Sequence, residues 1–69
     1  MREIDLKQEK ATLELDFNEL LALKNALNEV CNGIDAPEFH SRLGVTLDEA
    51  EALLAKLKDV VDRMWQPSR

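Results

Sequence analysis

The sequence predicts an α+β domain that is mostly α: an N-terminal β-hairpin over residues 2–15, then three helices over 17–32, 36–43 and 47–65, with a loose tail at 66–69. Three observations carry this reading. Apolar residues alternate with polar ones on both sides of a short polar link near the N-terminus. They then recur at steps of three and four. Acid-based start signals stand at three places, and the only two glycines stand where the first two helices should stop.

In the first segment Ile4 and Leu6 alternate with Glu3 and Asp5, and after Lys7–Lys10 the residues Ala11, Leu13 and Leu15 alternate with Thr12 and Glu14. Period two on both sides of a polar link is the pattern of a hairpin, although the link holds no glycine that would specify its turn. A hairpin alone is marginally stable, so its Ile and Leu face is expected to lie on the helices. Neither strand contains a proline or glycine that would blunt its free edge.

The first helix, 17–32, is the stretch the rest is organised around. At 100° per residue Leu20, Leu23, Leu27, Val30 and Ile34 fall in an arc of about 80°, which is the expected core face. Asn18, Asn25, Asn28 and Asn32 fall in a second arc nearly opposite, with Leu21 among them. Asparagine is a mediocre helix former because its amide competes for nearby backbone groups. Four on one stripe, around an exposed leucine, therefore mark a candidate partner-binding surface or a solvated face.

Each helix opens on the same device. Asp16 with Glu19, Asp35 with Glu38 and Thr46 with Glu49 fit the capping box, in which an N-cap side chain and an acid three residues on satisfy each other's backbone N–H groups. Gly33 and Gly44 fit left-handed C-caps. The third helix carries Leu47, Leu53, Leu54, Leu57, Val60, Val61, Met64 and Trp65 over an arc of about 140°. That is more apolar surface than the first helix and a short middle helix can cover. Val61, Met64 and Trp65 at its overhanging end are therefore the expected self-association residues, and a homodimer is the expected state.

Composition excludes several function classes. One cysteine, Cys31, allows no internal disulfide and fits a reducing compartment; with the single His40 it cannot build a four-ligand zinc site. Fourteen acids against nine bases give a net charge of −5, which opposes nucleic-acid phosphates and anionic lipid surfaces. Pro37–Leu57 has the outline of a helix-turn-helix, but its second helix would present Asp48, Glu49 and Glu51 to phosphate. DNA binding is accordingly the least favoured reading. No apolar run is long enough to span a membrane, and MREIDLKQEK lacks the apolar stretch of a signal peptide. No catalytic group, cofactor site or metal site is visible, so the chain reads as a cytoplasmic, non-enzymatic protein-interaction module. The alternative is a small acidic inhibitor, of the immunity-protein or antitoxin kind, that covers a basic partner.

The string NALNEVCNGI, followed by PEF and RLGVT, resembles small bacterial proteins of unknown function that share an N-A-L-N-E-V-C-N-G stretch on a helix. The likeness covers roughly Leu20 to Leu54. It implies a bacterial, cytoplasmic origin and assigns no activity to Asn25, Asn28 or Asn32.

Overall fold

The computed structural model describes residues 1–65, so the expected loose tail at 66–69 lies outside the described residues. The element order is β1 (Arg2–Leu6), β2 (Ala11–Glu14), α1 (Phe17–Gly33), α2 (Ala36–Leu43) and α3 (Leu47–Met64). A two-stranded antiparallel hairpin followed by a long, a short and a long helix is the architecture the sequence predicts.

The start devices hold at two helices of three. At α1 the Glu19 N–H donates to Asp16 Oδ1 (2.8 Å) and the Asp16 N–H donates to Glu19 Oε1 (3.0 Å). At α3 the Glu49 N–H donates to Thr46 Oγ1 (3.1 Å) and the Thr46 N–H donates to Glu49 Oε1 (2.8 Å). At α2 the expected box is replaced by a simpler start. Asp35 is the N-cap but makes no side-chain cap bond, and its carbonyl accepts from the Glu38 N–H at 3.0 Å. Pro37 in the first turn has no N–H, so one of the donors a cap would satisfy is not there.

The stop signals divide in the same way. Gly44 takes the left-handed conformation (φ 82°, ψ −2°) and its N–H donates to the His40 carbonyl at 2.8 Å. Gly33 does not: it is the last residue of α1, and Ile34 ends the helix in an extended conformation (φ −120°, ψ 129°) with its N–H on the Val30 carbonyl. A β-branched residue favours that region. Ile34 and Asp35 are also the whole connection to α2, so the chain leaves α1 extended rather than through a left-handed turn. α3 likewise stops one residue short of expectation, with Trp65 as its C-cap (φ −90°, ψ 67°).

The hairpin departs most from expectation. Its register pairs Arg2 with Glu14 and Glu3 with Leu13, then shifts by one so that Asp5 faces Thr12 and Leu6 faces Ala11. Ile4 is the extra residue, a bulge that puts polar opposite polar and apolar opposite apolar beyond it. The bulge also blunts the β1 edge, which the sequence left unguarded. Neither strand packs against a helix, and Ile4, Leu6 and Leu13 are 52%, 61% and 41% exposed. The cause is local: Asp16 is extended (φ −80°, ψ 174°) and no turn separates β2 from α1, so the hairpin cannot fold back over the helices. Its tie to them is an ion pair between the Met1 ammonium and Glu19.

α1 and α3 pack antiparallel, with Phe17 beside Trp65 at one end and Asn28 beside Leu54 at the other. The buried core is small: Phe39 of α2, at 0% exposure, with Ala50, Leu54 and Val61 of α3. The Cα framework measures 42 × 32 × 15 Å. It is one layer of helices with a hairpin extending from it.

Candidate functional site

The seam between α1 and α3 sorts the surface into two flanks. α1 faces α3 with Phe17, Leu20, Leu21, Lys24, Leu27, Asn28 and Cys31, all partly buried. That line lies about 80° round the helix from the centre of the expected core arc. Phe17 stacks on Trp65 with ring centroids 5.7 Å apart and planes at 25°, which fixes one end of the seam. At the other end Asn28 and Cys31 share a shallow depression with Leu54.

The rotation leaves Leu23 of the expected core arc exposed, with Leu20, Leu27, Val30 and Ile34 partly buried. Leu23, Ala26, Leu27 and Val30 of α1, Leu43 of α2, and Leu53 and Leu57 of α3 line one open groove with no charged residue. Leu23 is 49% exposed, Leu43 38% and Leu53 54%. Isolated surface leucines need no explanation, whereas these lie side by side in one depression. Leu23 and Leu53 were legible as apolar, not as exposed. The signal for exposure was the combined width of the two arcs, which exceeds what one helix–helix seam can bury.

The opposite flank is polar. Asn28, Cys31 and Asn32 share a shallow depression with Glu51, Ala55 and Lys58. The Asn32 amide Nδ2 donates to the Asn28 carbonyl (2.8 Å) and lies 3.4 Å from Asn28 Oδ1, so the stripe is partly occupied with its own helix. Asn18, Asn25 and Asn32 are exposed and Asn28 is partly buried. Leu21 is not the exposed centre of that stripe. It is partly buried and shares a depression with Phe17, Val61, Asp62 and Trp65.

The expected self-association residues also separate. Val61 is 5% exposed and belongs to the chain's own core, because it lies in line with Ala50 and Leu54 on the face that meets α1. Met64 and Trp65 remain 48% and 67% exposed, Trp65 with one face on Phe17.

Two carboxylates have shifted titration, both at helix starts. Glu19 is held below its ordinary value chiefly by the N-terminal ammonium and then by the Asp16 N–H. Glu49 is held low by the Thr46 N–H and then its hydroxyl. Both are capping groups, and His40 adds a smaller charge effect on Glu49. Among the described residues no cluster of three or more His, Cys, Asp or Glu side chains could hold a metal ion. No helix of the described residues is long and apolar enough to cross a membrane. The start of α3, where a helix-turn-helix protein would meet phosphate, carries exposed Asp48, Glu49 and Glu51.

Compared with protein-family models, curated proteins and solved structures, the chain matches none.

Proposed function

We propose that this chain is a non-enzymatic protein–protein interaction module of the bacterial cytoplasm that works in a self-associated form. The observation that carries the reading is the open groove along the α1–α3 seam. It is contiguous, apolar and free of charge, and it holds none of the polar groups that orient a small-molecule substrate. Surfaces of this composition serve as the centres of protein interfaces. The exposed amides of Asn18, Asn25 and Asn32, on another side of α1, are a second surface through which the assembled module can meet a polar protein partner.

Self-association is tested on the purified full chain by size-exclusion chromatography with light scattering over a hundredfold dilution. A mass that falls from two chains toward one on dilution supports the reading. One chain's mass throughout, at concentrations up to about 100 μM, overturns it.

A further inference from the structure

We infer that the groove lined by Leu23, Leu27, Val30, Leu43, Leu53 and Leu57 seats the same groove of a second copy, helix pair on helix pair, as a four-helix arrangement about a two-fold axis. This rests on the self-association reading and names the surface that performs it.

Area comes first. The chain exposes 5630 Å². A compact protein of its 7.9 kDa exposes about 4,400 Å² by the surface-to-mass scaling of folded monomers, so roughly 1,200 Å² is in excess. A stable interface takes about 800 Å² from each partner, which fits within this surplus even though the projecting hairpin holds part of it. The radius of gyration, 13.8 Å where about 11 Å is expected for a compact chain of this length, reflects the same open shape.

The core is thin. Among the described residues four hydrophobic side chains are buried, in a chain whose one cysteine cannot staple it and whose described residues offer no metal cluster. At this size oligomerisation is one of the ways a small domain completes its core. A partner needed for folding itself must be present in equal number wherever the chain is made, and a second copy meets that condition automatically.

Shape and charge fix the face. A layer 15 Å thick with an uncharged apolar groove on one flank of the seam becomes two-layered when two such flanks meet. In a two-fold contact each patch meets itself, which an uncharged groove tolerates on a chain of net charge −5. The Asn28–Asn32 flank, with Glu51 and Lys58 beside it, would instead have to take charged side chains out of water.

The test compares four single variants of the full chain, each checked for helical content by circular dichroism. Leu23→Glu and Leu53→Glu alter exposed groove residues, and Met64→Glu and Trp65→Glu alter the exposed end of the α3 stripe. The groove variants are expected to weaken dimerisation at least about 100-fold, as burying an unpaired charge does, while the end variants change it less than about fivefold. Dimers that survive Leu23→Glu and Leu53→Glu but dissociate with Met64→Glu or Trp65→Glu overturn this surface and leave self-association standing. A wild-type chain that is monomeric overturns both.

Should a groove variant lose its helices, wild-type protein gives the answer. In a mixture of isotope-labelled and unlabelled chains, intermolecular contacts between Leu23 and Leu53 methyl groups support the pairing. Intermolecular contacts confined to Ile4, Leu6 and Leu13, or to Met64 and Trp65, overturn it.

Discussion

Replacing each of the two glycines with alanine should move stability in opposite directions. Gly44 has φ 82°, and nothing lies within 4 Å of where a Cβ would stand, so backbone strain is the whole cost of Gly44→Ala. A side chain in the left-handed region costs about 1–2 kcal/mol. Gly33 also faces open space, but its φ is helical. There alanine removes unfolded-state freedom and improves helix propensity, a gain of about 0.5–1 kcal/mol, at the low end for a terminal position. The two variants should therefore differ by about 2 kcal/mol, or roughly 8–16 °C in Tm for a domain of this size. Thermal unfolding followed by circular dichroism reads the difference, at one fixed chain concentration because assembly makes Tm concentration-dependent. Equal destabilisation by both would refute the assignment of Gly33 to the helix. Neutrality of Gly44→Ala would refute the left-handed cap.

The remaining expectations follow from the caps and from α1. Thr46→Ala removes a side-chain cap bond and should cost about 1 kcal/mol, whereas Asp35→Ala, with no such bond to lose, should cost less than about 0.5 kcal/mol in urea unfolding. Glu19 and Glu49 titrate below 4.5 when folded, so the stability they add is present above that value and lost as pH falls through their folded values. Urea midpoints should accordingly decline as pH drops below about 4.5, and Glu49→Gln should flatten part of the decline. Asn25→Ala exchanges an exposed amide for a better helix former and should stabilise by about 0.5 kcal/mol without altering the mass in solution. A lost dimer would instead place the asparagine stripe in the interface.

The sequence made local structure legible because the signals for it are local. Asp16 with Glu19 and Thr46 with Glu49 are three residues apart, and each pair closes on itself whatever the rest of the chain does. Gly44 is of the same kind. What could not be read depended on residues far apart. The rotation of α1 on α3 goes with Phe17 meeting Trp65 across 48 positions, and it turned Leu23 from expected core into exposed surface while drawing Val61 inward. The bulge at Ile4 is set by the pairing of β1 with β2. The clean alternation of Arg2–Leu6 gives no sign of it. Of the expected self-association residues, Val61 is buried in the chain's own core while Met64 and Trp65 stay exposed. The width of the apolar arcs gave the amount of uncovered surface, but its location required the seam.

The central claim, that two chains complete one core through the groove, is met most directly by sedimentation equilibrium of the unmodified protein at micromolar concentration. The expected mass is about 16 kDa, twice the chain's 7.9 kDa, tightening as salt rises because two chains of net charge −5 repel less when screened. A single species of 7.9 kDa at every concentration and salt would contradict it.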